Sequence, residues 1–287
     1  MKRSVAITGA GGFLGTELCR QLLAVGMKVH ALSRRPPTLP GVEWQAYDLA
    51  DPAPVLPAGV DAVVHAAFAM GPTGPGLEAL NETAAHRLQS AARERGAHFI
   101  FISSMSAHAA AASSYGRAKW RIEQTLDPDL DTIVRPGLIV GSGGVYARMM
   151  ASLRRAPFLP LFYGGTQPVQ PVGLDEVTNA LRLIVAGRLP GTYNLGSPEP
   201  ITMREFYRRM MLASGTRRPV VPLPGNLTVW LLRAGESLGL RLPLTAENLL
   251  GQKYLRSFET SDSQARLGLA PQTLDQLPWI LPPSPNQ

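Results

Sequence analysis

Residues 8–15 read TGAGGFLG, directly after the apolar run Ser4-Val5-Ala6-Ile7. Leu14, Leu18, Leu22 and Val25 follow at i, i+4, i+8 and i+11, one face of a helix. The glycines therefore sit in a strand-to-helix turn, the context in which a glycine pattern carries meaning. A helix N-terminus offers free N–H groups and a partial positive charge, so a pyrophosphate binds there. The spacing G-x-G-x-x-G fails, because position 14 is Leu14; Gly9, Gly12 and Gly15 fit G-x-x-G-x-x-G. In that frame Gly9 allows the turn, Gly12 the close approach of a phosphate and Gly15 the packing of helix on sheet. Phe13 and Leu14 open the helix at the same place. A ligand-free glycine turn is the alternative reading.

The pattern continues outward from that turn. Strands are expected at Ser4–Thr8, Lys28–Ser33, Val42–Tyr47, Asp61–Ala67, His98–Ser103 and Asp131–Arg135. Long helical stretches, GLEALNETAAHRLQSAARERG and SYGRAKWRIEQTL, lie between them. Strands alternating with helices give βαβ units and a parallel sheet. The run Ala62–Ala67, apart from His65, and the run Phe99–Ile102 are apolar, as strands buried on both faces are. The expected fold is α/β: a Rossmann-type, doubly wound parallel sheet with a smaller, mostly helical carboxy-terminal portion. The nucleotide-binding domain is expected over residues 1–165, with segments of 166–196 free to return to the sheet, and the substrate-binding portion over 197–287. After about residue 140 prolines crowd the sequence and helices are expected near 144–154, 174–186, 202–214 and 226–238, with a short strand at GTYNLGS.

Composition narrows the class. Hydrophobic residues make up 45% and charged residues 17%, enough apolar material for a sizeable core. No run of apolar residues is long enough to span a membrane, and the start has no signal-peptide pattern. The single cysteine, Cys19, cannot form an internal disulfide, which fits a reducing cytoplasm. The net charge is +7, but the basic pairs are scattered and aromatics are only 7%, unlike a nucleic-acid groove. A positive field suits an anionic ligand such as a dinucleotide or nucleotide sugar. No Cys/His/Asp cluster has metal-ligand spacing, so no metal is expected.

Seven stretches in order resemble the short-chain dehydrogenase/reductase superfamily, in its extended or atypical branch, the NAD-dependent epimerase/dehydratase group. Besides TGAGGFLG they are DAVVHAA (61–67), LNETAAHRLQSAA (80–92), FIFISSMSA, YGRAK, and the later pair IVRPGLIVG and YNLGSPEPITMREF. The resemblance implies that His65, Ala66 and Ala67 lie beside the cofactor, that Asn81 is the usual asparagine near the catalytic centre, and that Ser103 and Ser104 are its serine pair. Tyr115 and Lys119 match its Tyr-x-x-x-Lys. Pro136, ending the sixth strand, joins the cofactor set, as do Asp48 and Leu49, which resemble the family's adenine-contacting pair.

The residue chemistry agrees. Four residues apart, Tyr115 and Lys119 share a helix face. A tyrosine titrates near pH 10, and a nearby ammonium is expected to lower that value. The hydroxyl then exchanges a proton with substrate while hydride moves. By resemblance Ser104 bonds the substrate oxygen, with Ser103 as the fallback, and Lys119 also binds the nicotinamide ribose. His65, inside an apolar strand, reads as a core histidine. Ser113 and Ser114 read as helix caps. Asp175 resembles a family residue that starts a helix near the substrate, with N-capping as the plainer role. The second strand ends in Ser33, Arg34 and Arg35 where an NAD enzyme usually carries an acid, and a guanidinium forks onto a 2′-phosphate. NADP(H) is therefore the expected cofactor, with NAD(H) as the alternative.

The expected activity is NADPH-dependent reduction or oxidation of a carbonyl or hydroxyl on a small molecule or nucleotide sugar. The alternatives are a nucleotide-sugar epimerase or dehydratase with tightly bound NAD, and a non-catalytic NADPH-binding accessory protein resembling the complex I nucleotide-binding subunit. By analogy a homodimer is an open expectation. The stretch 226–242, NLTVWLLRAGESLGLRL, reads as a helix packed over the substrate pocket, with membrane-surface attachment as the alternative.

Overall fold

The structure, a computed structural model, describes residues 3–70, 75–240 and 244–279. The tail PPSPNQ and the last two residues of 226–242 lie outside them. The chain begins β1 (Ser4–Thr8), α1 (Phe13–Ala24), β2 (Lys28–Ser33), β3 (Glu43–Ala46), β4 (Ala62–His65), α2 (Pro75–Glu94), β5 (His98–Ile102), α3 (Ser114–Glu123) and β6 (Thr132–Pro136). It continues β7 (Leu138–Val140), α4 (Gly144–Arg155), β8 (Leu159–Phe162), β9 (Pro168–Val169), β10 (Pro171–Gly173), α5 (Leu174–Gly187) and β11 (Gly191–Leu195). It closes with β12 (Ile201–Thr202), α6 (Met203–Ser214), β13 (Val220–Leu223), α7 (Gly225–Ser237), α8 (Ala246–Lys253) and α9 (Ser261–Arg266).

Seven parallel strands form the central sheet in the order β11-β6-β5-β4-β1-β2-β3. Every residue of β1 and β5 is buried, as the unbroken apolar runs require. Successive residues feed opposite layers. Val5 and Ile7 pack with Leu18, Leu22, Leu181 and Ile184 of α1 and α5, whereas Ala6 packs with Leu88, Phe99 and Ile122 under α2 and α3. This is the doubly wound architecture. Its direction reverses between β1 and β4, which opens a crevice at their carboxyl ends, where ligands bind in such sheets.

β4 stops at His65, two residues short of the expected end. The Thr8 hydroxyl takes the N–H of Ala67 at 3.2 Å and pulls the chain off the ladder. The proline-rich stretches are not merely loops. They make three two-stranded ladders: β7 with β10, β8 with β13, and β9 with β12. A proline lacks a ladder donor, so Pro160, Pro168, Pro171 and Pro222 fit strands that have only one neighbour. These ladders carry two further cores. One joins Tyr146, Met150, Phe206, Met210 and Trp279; the other joins Phe162, Val229, Ala246 and Leu249.

Candidate active site

The glycine turn lies at the crevice. Gly9 has φ +69, a left-handed value that suits glycine. A Cβ there would also lie 2.8 Å from Ala67 N, so Gly9 lets the turn cross the end of β4. At Gly15 a Cβ would lie 2.2 Å from Gly9 O, which shows how closely α1 sits on the turn. Gly12 caps α1 with no side-chain hydrogen bond, and the first turn has no acid. Nothing lies within 4 Å of where a Cβ of Gly11 would point. An uncapped helix N-terminus facing an open glycine cradle fits a pyrophosphate. Phe13 presses its ring on the loop 141–144, where a Cβ of Gly143 would lie 2.3 Å from it. Leu14 leans on the α1 core.

His65 is a core histidine. Its Nδ1 bonds the Thr8 hydroxyl at 2.8 Å and its ring stacks on Phe101. Burial, and then the nearby Lys119, push its pKa down to about 3, so it stays neutral. Ala66 and Ala67 form the wall that Gly9 crosses. At the end of β2 the Ser33 hydroxyl donates to Arg35 O at 2.7 Å, and Ser33 O accepts from Trp44 Nε1 at 3.1 Å. Arg34 and Arg35 are exposed. Asp48 Oδ1 accepts the Ala50 N–H at 2.9 Å, and Leu49 leans on the second sheet core.

Tyr115 stands in the first turn of α3, whose N-cap Ser113 accepts the Gly116 N–H at 3.1 Å. Its ring meets Phe68 edge-on at 5.0 Å. Burial pushes its hydroxyl up to about 12, opposed by a hydrogen bond from Ser104. Lys119, one turn on, points its Nζ at Ile102 O, 2.6 Å away, and lies 5.3 Å from the Tyr115 ring centroid. Burial pushes Lys119 down to about 7, opposed by Glu123. The expected lowering of the tyrosine by an ammonium is therefore corrected. The lysine is anchored on a carbonyl behind the ring, and desolvation governs both groups.

Of the serine pair, Ser104 turns to Tyr115 and also bonds Ser106 Oγ at 3.0 Å. Ser103 Oγ is buried with no partner, a polar atom left for a ligand at the strand end. Asn81 spends its amide on the backbone. Oδ1 accepts from Ala69 N at 2.8 Å, and Nδ2 donates to Ala69 O and Leu77 O at 3.1 and 2.9 Å. It holds the loop after β4 on α2 and also lines the cavity beside Tyr115. Pro136 O accepts the Met105 N–H at 3.1 Å and fixes the segment after the serines. Asp175 is not an N-cap. Gly173 holds that place in α5, and Asp175 lies in its first turn, where an acid suits the positive helix end.

Two residues were not foreseen. Phe68 packs on both Tyr115 and Lys119. Glu247, from α8, accepts both the Ser114 N–H and the Ser114 hydroxyl at 2.7 Å. Ser114 is thus held from outside and does not cap its own helix. A cavity of about 50 Å³ opens between these groups, lined by Phe68, Met70, Leu77, Asn81, Tyr115 and Glu247. In sequence Glu247 reads only as the first turn of a helix.

A model of the NAD dependent epimerase/dehydratase family matches residues 5–196, and the chain belongs to that family. Membership places it among NAD(P)-dependent enzymes. The chain is 32% identical to a ceramide reductase of Caulobacter vibrioides over 246 residues, 79% of this chain and 76% of the relative. It is 29% identical to a 2-alkyl-3-oxoalkanoate reductase of Stenotrophomonas maltophilia, over 75% of this chain and 76% of the relative. Among solved structures, MoeE5 in complex with UDP-glucose and NAD superposes with a TM-score of 0.70 at 20% identity, covering 94% of each chain, a likeness of fold.

Proposed function

We propose that the chain is an NADP(H)-dependent oxidoreductase that reduces a ketone or aldehyde, with Tyr115 as proton donor. The observation that carries this reading is Tyr115 in the wall of a small cavity, with Ser104 as its nearest hydroxyl neighbour outside that wall. A phenol pushed up to about 12 is protonated at neutral pH, which suits giving a proton rather than taking one. Ser104 would donate to the same substrate oxygen and stabilise charge developing there. Lys119, anchored on Ile102 O beside the tyrosine ring, would bind the nicotinamide ribose. The N–H groups of the Gly9–Gly15 turn would hold the pyrophosphate, and Arg34 the 2′-phosphate. The bound dinucleotide supplies the hydride. Phe68, Met70 and Leu77 make the cavity wall apolar around Tyr115, and the two reductase relatives support a carbonyl substrate.

The test is to denature the purified protein, identify any released nucleotide by mass spectrometry, and then assay carbonyl compounds with NADPH and NADH. NADP(H), or an empty site that takes up NADPH and turns over a carbonyl, supports the reading. Near-stoichiometric NAD would replace it with a cofactor-recycling epimerase or dehydratase. Tight NADPH without turnover on any carbonyl would replace it with a binding protein.

A further inference from the structure

Helix α7 is apolar on two opposite faces. Its inner row holds it to the protein: Val229 is buried with Phe162, Ala246 and Leu249, and Leu232 leans on the same cluster. Its outer row consists of Leu227, Trp230, Leu231 and Leu238, at i, i+3, i+4 and i+11. These are 54%, 64%, 54% and 79% exposed. Exposed Ala234 bridges the row, and Leu240, also more than half exposed, follows the helix. A surface helix ordinarily turns charged or polar residues to that side. A contiguous exposed apolar row marks an interaction site. The inner row packs on that separate core, and no residue of α7 lines the cavity beside Tyr115.

The charges around the row are one-sided. The only acid of α7, Glu236, turns inward, and its Oε1 accepts the Ala246 N–H at 2.9 Å. Arg233, on the flank of the outer row, is exposed. The whole chain carries +7. No helix among the described residues is long and apolar enough to cross a membrane, so α7 can only lie on one. A second copy of the chain is a poorer occupant. One helix face about 20 Å long offers well under the roughly 800 Å² that each partner buries in a stable dimer.

We infer that the outer face of α7 docks the protein on an anionic lipid surface. The leucines enter the boundary between headgroups and acyl chains, Trp230 sits at that boundary with its N–H toward water, and Arg233 meets the lipid phosphates. The docking stands apart from the proposed chemistry and does not depend on it.

The experiment is flotation of the full chain with vesicles of phosphatidylcholine alone, or of phosphatidylcholine mixed with phosphatidylglycerol, at low and physiological salt. The protein should float with the anionic vesicles and less well as salt rises. Trp230 emission should shift to the blue on binding, and Trp230→Phe should lose that shift while still floating. Leu227→Glu with Leu231→Glu should weaken flotation by about tenfold or more. Both positions are exposed, so thermal unfolding should match the parent and show the variant folded. No flotation with anionic vesicles, or flotation unchanged by the double variant, overturns the proposal. A dimer in sedimentation velocity that the double variant dissociates would assign the face to a second copy and overturn it equally.

Discussion

The sheet half and the carboxy-terminal half hold their parts by different means. In the first, strands buried on both faces bring backbone against backbone. Gly9 crosses Ala66-Ala67, Gly15 sits on Gly9 O, and Lys119 is fixed by a main-chain carbonyl. In the second, short edge-rich ladders carry helices on side-chain contacts. Gly225 opposes the ring of Tyr163, and α7 and α8 share a small core of Phe162, Val229, Ala246 and Leu249. A wall of backbone cannot give way, whereas a wall of side chains can repack. Fixed chemistry is therefore expected in the first half and adjustable recognition in the second.

The strongest way to break this division is Tyr115→Phe. Loss of a positioned proton donor is expected to cut turnover by about 10²–10⁴-fold. Binding of NADPH, followed by fluorescence, should stay near the parent. The pH profile sharpens the same point. With the hydroxyl near 12, the donor form persists through neutral and mildly alkaline pH, so Tyr115 itself should impose no fall in reduction there, and a fall near 7 would follow the loss of the Lys119 proton. The reverse oxidation needs the phenolate and should rise with pH over that range. Turnover of Tyr115→Phe within a few-fold of the parent would remove the chemistry from this half.

Next in size is a pair of glycine substitutions. A Cβ at Gly15 would meet Gly9 O at 2.2 Å, and one at Gly225 would meet Tyr163 Cε1 at 2.3 Å. Gly15→Ala should cost roughly 1–3 kcal/mol in denaturant unfolding, as overpacking does, and should weaken NADPH binding with it. Gly225→Ala meets a half-buried side chain that can swing away, so the cost should be smaller and cofactor binding unaffected. Equal costs would show that the two walls yield alike.

A smaller effect tests the cofactor end. Arg34→Ala should weaken NADPH by about tenfold, as expected for one exposed charge-assisted hydrogen bond of about 1.5 kcal/mol, and leave NADH unchanged. An equal change for both cofactors would mean that Arg34 contributes only to the general field.

The same division decides what could be read in the sequence. Gly9, Gly12, Gly15, Tyr115 and Lys119 were legible because their work is local: a turn, a helix start, one helical repeat. The sheet was legible because unbroken apolar runs announce strands buried on both sides. The state of the groups was less so. Sequence spacing put an ammonium beside a phenol, but only the fold shows Lys119 bound to Ile102 O and burial raising Tyr115. Asn81 matched its motif, yet its amide is used up by Ala69 and Leu77. The ladders of the second half hid behind their prolines, and Glu247 lies 133 residues from the serine it binds.

Glu247→Gln probes that one link between the halves and carries the smallest expected effect. The carboxylate takes two hydrogen bonds at the N-terminus of α3, both on Ser114 and both 2.7 Å. Glutamine keeps the length and one acceptor oxygen but loses the charge that the helix end favours. The site is half-buried, so the cost should be about 1 kcal/mol or less. Tyr115 keeps its other supports, namely the Ser113 cap and the Phe68 edge. The proton donor should therefore stay in place, and kcat should hold. Glu247 also lines the cavity, so KM for the carbonyl substrate should rise by a few-fold. A KM change at constant kcat keeps recognition in the carboxy-terminal half and chemistry in the sheet. A kcat loss comparable to that of Tyr115→Phe would make Glu247 part of the machinery that sets the tyrosine, and the two halves would have to be treated as one catalytic unit.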